Sequence, residues 1–291
     1  MSIANAKEML LEATKGKYSV GAFNITNINQ MEAVLEAAVE NRSPVIIQTS
    51  VTPSKFLKPE VIVAVYWTLA ESAPIPVCLH LDHCTDVDYC KICADAGYTN
   101  IMIDASKQVY EENIRQTKEV TDYCHRVGDI TVEGELGTVS GVEDQVKVSE
   151  DEAALCDPKA ALKFVEETGI DLLAPAIGTA HGIYKTANPK LDFDRFKKVF
   201  DLFNAKEPNV PMVIHGGTGL KPEVVRKLVA LGGSKFNVST DLKHTLIDTT
   251  FEYITANREQ YNPSKIDKAV REAIINRINY WIELLGCAGK A

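Results

Sequence analysis

The sequence predicts an α/β fold, a closed (β/α)8 TIM barrel with a C-terminal helical extension. Three observations carry that reading. Eight short, β-branched or apolar runs recur about 31 residues apart, the size of one βα unit. Each is followed by a longer stretch of helical character, the alternation expected around a parallel sheet. The runs are close to continuously apolar, as in IMID, LLAPAI and MVIH, which is how strands buried on both faces read. A doubly wound sheet uses about six strands, whereas eight units fit a closed barrel of about 250 residues.

The elements follow in order. The start of the chain lacks a basic segment followed by an apolar core, so it reads as an amphipathic helix with Ile3, Met9, Leu10 and Leu11 and not as a secretory signal. Strands are expected at 19–25, 44–50, 77–82, 100–105, 130–137, 171–178, 211–217 and 235–240. Helices are expected at 29–41, 59–72, 87–96, 110–127, 157–168, 192–203 and 222–231. Asp157-Pro158 and Lys221-Pro222-Glu223 are helix starts, with a cap or acid beside a first-turn proline. Gly97, Gly128, Gly169 and Gly232 are stops. A long helical tail is expected over 245–285. The segment 138–153 (TVSGVEDQVKVSEDEA) breaks the rhythm and reads as a lid or a solvated surface loop. No linker interrupts the pattern, so residues 1–291 read as a single barrel domain.

Composition narrows the function. With 45% hydrophobic and 24% charged residues the chain buries enough apolar surface to fold as a globular protein. Its net charge of −9 argues against nucleic-acid binding, which needs a basic face. No apolar run approaches the roughly 18–20 residues that span a bilayer. Seven cysteines, an odd number in apolar contexts, point to reduced thiols and a cytoplasmic location. Cys90 and Cys93 have redox-motif spacing but sit in a helical stretch and read as buried thiols.

Polar chemistry accumulates at the C-terminal strand ends, where barrel active sites form. The third run carries His80, Asp82 and His83, the fourth Asp104, and the fifth Glu133 and Glu135. The sixth leads into His181-Gly182, the seventh ends His215-Gly216-Gly217-Thr218-Gly219, and the eighth ends Asn237-Val238-Ser239-Thr240. Three imidazoles leave an open position on zinc, as catalytic sites do, and His83, His181 and His215 are the candidates. His80 lies further upstream and suits packing or support of a ligand. His125 and His244 fall in helices and read as structural. Glycine at 182, 216, 217 and 219 lets backbone N–H groups approach an anion.

These residues, in this order, resemble the class II, metal-dependent fructose-bisphosphate and tagatose-bisphosphate aldolases. The matching blocks are LHLDH at 79–83, MIDAS at 102–106, EGELG at 133–137, GTAHGIYK at 178–185, HGGTG at 215–219 and NVSTDL at 237–242. The resemblance implies one zinc per subunit on His83, His181 and His215, with Glu135 and Asp104 around an alternative metal position. A monovalent cation is a further candidate. It implies Asp82 as the acid/base at the C4 hydroxyl and Glu143 as the group handling the proton at C3. Gly182, Gly216, Thr218 and Thr240 would hold the C1 phosphate, and Asn237 the substrate hydroxyls. Asn24, Ser50, Lys185, Gly217 and Ser239 complete the implied substrate-binding set. The products would be dihydroxyacetone phosphate and an aldehyde, and both fructose-type and tagatose-type C4 configurations fit. A homodimer or homotetramer is implied, with no nucleic-acid or membrane partner.

One departure bears on specificity. Many relatives carry Asp-Pro-Arg near the C-terminus, where the arginine contacts the second phosphate. Here the segment is Asn262-Pro263-Ser264-Lys265. A lysine does not replace a bidentate guanidinium, so Ser264 and Lys265 become candidates for binding a different distal group. A sulfonate, as in 6-deoxy-6-sulfofructose 1-phosphate, or an uncharged end would fit. Two other functional classes are a metal-dependent hydrolase and a non-catalytic subunit. The first often carries HxH on the first strand, where this chain has Phe23-Asn24-Ile25. The second has no need of Asp82, Glu143 and three histidines.

Overall fold

A computed structural model describes residues 2–143, 146–149, 153–182, 184, 186, 189–204 and 209–291. In chain order the elements are α1 (Ala6–Gly16), β1 (Val20–Asn24), α2 (Ile28–Glu40), β2 (Val45–Ser50), α3 (Val51–Leu57), α4 (Pro59–Ala70), β3 (Val77–Cys84), α5 (Val87–Ala96), β4 (Asn100–Ile103), α6 (Tyr110–Val127), β5 (Thr131–Leu136), β6 (Ser140–Glu143), β7 (Val146–Val148), α7 (Pro158–Thr168), β8 (Leu172–Pro175), β9 (Ala180–His181), α8 (Phe193–Asn204), β10 (Met212–Ile214), α9 (Pro222–Ala230), β11 (Gly233–Val238), α10 (Thr240–Ala256) and α11 (Pro263–Leu285).

Eight of the strands close into a barrel in the order β1, β2, β3, β4, β5, β8, β10, β11 and back to β1. Every pairing around the ring is parallel. All eight expected strands are present, and every residue in them is buried. That is why their sequences run apolar without alternation. The expected cap at Asp157 forms, its side chain accepting from Lys159 N at 3.0 Å and Ala160 N at 2.9 Å. The buried Cys90 and Cys93 lie on α5, and all seven cysteines are free and buried.

Three elements differ from expectation. The tail is two helices, α10 and α11. Asn262 accepts from Ser264 N at 3.1 Å and Pro263 presets the first turn, so a new helix starts where a continuous one was expected. A short helix, α3, directly follows β2 in a stretch to which the sequence reading assigned no element. The segment after β5 is ordered into a hairpin of β6 and β7, and β6 pairs in parallel with β9, Gly141 opposite His181. Gly141 has φ 107°, and a Cβ there would overlap the His181 carbonyl oxygen. Only glycine allows the hairpin to lie this close.

At the opposite end from the polar strand ends, His125 Nε2 donates to Asp171 Oδ2 at 2.7 Å, and Asp171 also accepts from Val132 N at 2.9 Å. The bond to Asp171 raises the His125 pKa above its ordinary 6.5, against partial burial. A raised imidazole contributes stability that is fully present below its unfolded pKa and is lost as pH rises through the folded value. An NMR titration of His125 should give a midpoint above 6.5, and Asp171→Asn should bring it down. The stability gap between the two proteins should narrow as pH rises through the wild-type midpoint; a gap independent of pH would contradict this pairing.

Candidate active site

Strand β3 delivers the first two groups. Its pairing to β4 shifts register between Leu81 and Cys84, and His83 sits in the left-handed region at φ 47°. Such a conformation is uncommon for a residue with a side chain, and a bulge re-aims what it carries. Here it turns the His83 ring toward two others. His83 lies 4.6 Å from His181 and 4.5 Å from His215 between ring centroids, and His181 lies 5.9 Å from His215. Each of the three offers a nitrogen within 4.8 Å of the others. A second donor set with the same spacing, His83, Asp104 and Glu135, is entirely buried and shares His83.

Hydrogen bonds set which nitrogen faces inward. Asp104 Oδ2 accepts from His83 Nδ1 at 2.8 Å and is itself held by Ser106, whose hydroxyl is 2.7 Å from Oδ1. His83 Nε2 is then left buried with no hydrogen-bond partner. An orphaned buried ring nitrogen among two other imidazoles and two carboxylates is what a metal ligand looks like before the ion is added. His215 tells the same story. Its Nε2 meets Glu133 Oε1 at 2.8 Å, and its Nδ1 faces Glu135 Oε2 at 2.9 Å. With Nε2 donating to Glu133, the Nδ1 lone pair and the Glu135 carboxylate face each other, and a cation or a second proton is needed between them. The residues fit a zinc ion, and as a Lewis acid it would stabilise negative charge developing on a bound carbonyl compound.

Asp82 sits beside this cluster, buried and held at both oxygens. Asn237 Nδ2 donates to Oδ1 at 3.0 Å, and Asn24 Nδ2 to Oδ2 at 2.9 Å. Gln48 Nε2 donates to Asn24 at 2.6 Å and reaches Oδ2 at 3.3 Å. Burial would raise the Asp82 pKa, but His83, Lys235, His80 and His215 override it and hold it at about 2. The carboxylate is therefore ionised, oriented and able to accept a proton.

The same pocket is lined by Asn24, Asp82, His83, His181, Gly182, Gly216, Gly217, Thr218, Asn237, Ser239 and Thr240. Its far side is a candidate anion cradle built on glycine loops. Gly216 has φ 70°, and a Cβ there would overlap the Ala180 carbonyl oxygen, so glycine brings the two loops into contact. Tyr184 stitches them together, donating to Gly216 O at 2.6 Å and accepting from Ala180 N at 3.0 Å. Thr218 Oγ1 accepts from Asp241 N at 3.3 Å, which ties the glycine loop to the first turn of α10. A helix N-terminus beside glycine-loop N–H groups favours a bound anion.

The structure thus brings ten of the eleven residues expected to bind metal or to act as acid/base and C1-phosphate groups into one pocket or its immediate wall: His83, His181, His215, Asp104, Glu135, Asp82, Gly182, Gly216, Thr218 and Thr240. Asn237 joins them, as do Asn24, Gly217 and Ser239. Ser50 is buried at the end of β2, in register with Asp82, behind the lining. Glu143 belongs to β6, two residues from the Gly141–His181 pairing; its side chain, like Lys185, lies outside the described residues. Ser264 and Lys265 are not brought to the pocket of this chain, being exposed in the first turn of α11. Sequence reading did not assign Gln48, Tyr184 or the pair Glu133 and Lys235. A lysine and a glutamate in apolar strands were the available signal.

Fold and site together define a (β/α)8 barrel enzyme with a histidine-lined candidate metal site and an adjoining anion cradle. The sequence profile of the class II fructose-bisphosphate aldolases matches residues 4–290. The chain is 40% identical over 294 residues to a fructose-bisphosphate aldolase of Geobacillus stearothermophilus, covering 100% of this chain and 99% of that one. It is 36% identical to a fructose-bisphosphate aldolase of Helicobacter pylori, with 99% of each covered. Among solved structures it resembles the YdjI aldolase of Escherichia coli K12, with a TM-score of 0.85, 32% identity and 99% of each chain covered. It also resembles a fructose-bisphosphate aldolase of Campylobacter jejuni, with a TM-score of 0.79, 25% identity, and 98% and 95% covered. The chain belongs to the class II fructose-bisphosphate aldolase family and is an aldolase, a carbon–carbon lyase.

The metal-free cluster holds protons that a metal must displace. Burial opposes charge on His83, but Asp82, Asp104 and Glu135 raise its pKa to about 10. Burial and His83 oppose charge on His215, yet Glu133 and Glu135 raise it too. Zinc binding near neutral pH should release at least one proton. Calorimetry in two buffers of different ionisation enthalpy measures this directly, and a binding enthalpy identical in both would contradict it.

Proposed function

We propose that the protein is a zinc-dependent aldolase that reversibly cleaves a ketose 1-phosphate to dihydroxyacetone phosphate and an aldehyde. The observation that carries this is the single pocket in which ionised Asp82, three imidazoles and a glycine-loop anion cradle meet. The cradle takes the C1 phosphate. Asp82 removes the C4 hydroxyl proton as C3–C4 breaks, and the electron pair left at C3 spreads toward the C2 oxygen. Glu143, carried on β6, is the residue assigned to return a proton there. Zinc, when bound, supplies Lewis-acid stabilisation of the charge left on the ketose fragment. Seven free, buried cysteines support a reducing, cytoplasmic setting. The exposed Ile247 and Phe251 on α10 support a homo-oligomer.

A second reading concerns the distal group. Among the described residues the pocket lining includes no guanidinium, and Ser264 with Lys265 stands where many relatives have arginine. This favours a weakly compensated distal end, such as a C6 sulfonate or an uncharged C6, over a second phosphate.

Two measurements test these readings. Asp82→Ala should retain zinc while kcat falls by about 10²–10⁴, the usual worth of general acid–base catalysis; turnover within tenfold of wild type would remove Asp82 from the role. Across C6-phosphate, C6-sulfonate and unsubstituted ketose 1-phosphates, kcat/KM should vary by less than about tenfold, or about 1.4 kcal/mol. A preference of several hundredfold for the bisphosphate would overturn the distal reading. Release of inorganic phosphate without carbon–carbon cleavage would overturn the aldolase reading itself.

A further inference from the structure

Below the imidazole cluster lies a buried cation outside the pocket lining. Lys235, on β11, is fully buried inside the barrel. Its Nζ donates to Glu133 Oε2 at 2.8 Å and to His80 Nε2 at 3.3 Å. Glu133 is also fully buried, and its other oxygen, Oε1, is 2.8 Å from His215 Nε2. The carboxylate thus bridges an ammonium and a candidate zinc ligand. On the far side, Asn100 Nδ2 donates to Thr131 Oγ1 at 2.6 Å. The Asn100 oxygen therefore faces His80 Nδ1, which must donate to it. His80 Nε2 is then an acceptor, and burial keeps this ring neutral, with its pKa lowered to about 3. Donor and acceptor roles are set along the whole line: Asn100, His80, Lys235, Glu133, His215.

We propose that Lys235 and Glu133 act as one positioning unit: the ammonium holds the carboxylate in place with both oxygens as acceptors, and the carboxylate sets the tautomer of His215. An ammonium has donors only, so it fixes the face of residue 133 turned toward it as an acceptor. The carboxylate then presents its second acceptor to His215, which must donate from Nε2 and leaves the Nδ1 lone pair for the metal. The Nδ1 side is the one that faces Glu135, a member of the second donor set. Partners of this kind that hold a ligand's second nitrogen are worth roughly 10–100-fold in metal affinity. The inference rests on the zinc reading above.

The arrangement makes an unusual prediction for two substitutions. In Glu133→Gln the amide has one acceptor and one donor end. Lys235 takes the oxygen, so the amide NH2 faces His215 Nε2. The ring then has to accept at Nε2, which puts the proton on Nδ1 and removes the lone pair from the metal. In Glu133→Gln combined with Lys235→Met the amide is free to turn its oxygen to His215, and the Nε2–H form returns. Removing the lysine should therefore repair the damage of the first substitution.

The experiment is zinc affinity by competition with a chromophoric chelator, together with long-range ¹H–¹⁵N NMR of the His215 side chain in the zinc-free and zinc-loaded proteins. Glu133→Gln is expected to bind zinc roughly 10–100-fold more weakly than wild type. Adding Lys235→Met is expected to recover at least tenfold, with His215 returning to its Nε2–H signature. The double variant buries no unpaired charge and keeps the side-chain volumes, so it folds even where a single variant does not; its affinity within tenfold of wild type then supports the proposal. A double variant as weak as Glu133→Gln, or Glu133→Gln binding as wild type does, overturns it. Wild-type protein that takes up no zinc overturns the zinc reading, and this inference with it. Wild type that binds zinc while the variants fail to follow this order overturns the role of the Lys235 and Glu133 unit alone.

Discussion

Pairing of buried charge is the constraint on which the mouth of this barrel depends. Eight strands buried on both faces leave no water for a carboxylate inside the ring, yet Asp82, Glu133 and Glu135 all sit there, with Asp104 beside them. An unpaired buried charge is prohibitively costly, and removing one member of a buried pair leaves the other stranded. Each acid therefore has fixed partners: Asp104 with His83, Glu133 with His215 and Lys235, Glu135 with Val139 N and His215, and Asp82 with three side-chain amides. What satisfies burial also fixes ring orientation. The nitrogen left over on His83 points where the other imidazoles converge, so the metal geometry follows from how the acids are accommodated.

The same constraint resolves the conflict between a net charge of −9 and an anionic substrate. The acids inside are tied to Lys235, to the imidazoles or to amide donors, so their charges are held by fixed partners. The anion would meet glycine-loop N–H groups and the first turn of α10, which are dipoles and absent from any charge count. Tyr184 and the Gly216 approach to Ala180 keep those dipoles aligned without adding charge. Total charge thus speaks to solubility and to nucleic-acid binding, and local geometry speaks to the substrate.

Legibility in the sequence divided along local and non-local lines. The barrel strands were readable because parallel strands buried on both faces carry a local signature. The strand-end histidines were readable because the fold puts all such ends at one mouth. The hairpin was not, since pairing of Gly141 with His181 spans residues that share no local pattern. The break in the tail was written in Asn262-Pro263, yet apolar spacing on both sides masked it. Lys235 and Glu133 were visible as polar residues in apolar strands. Their partnership spans about a hundred residues, and only ring closure places β11 across the barrel interior from β5.

Substrate recognition is uneven for a related reason. The groups proposed to hold the proximal end are ones that β3, β10, β11 and their loops must position anyway to close the barrel and pair its buried charges. The distal candidates, Ser264 and Lys265, sit on α11, outside that closed network. One residue joins the two regions. Asp241 donates its N–H to Thr218 in the cradle, and its carboxylate accepts from Trp281 Nε1 at 2.6 Å and Arg277 Nε at 2.5 Å on α11. The arginines of α11 are thus committed to acids on neighbouring elements, Arg277 to Asp241 and Arg271 to Glu36. They anchor the helix and leave its exposed first turn to vary. On the proposed distal reading, a change of residue there would leave untouched the buried pairs at the barrel mouth.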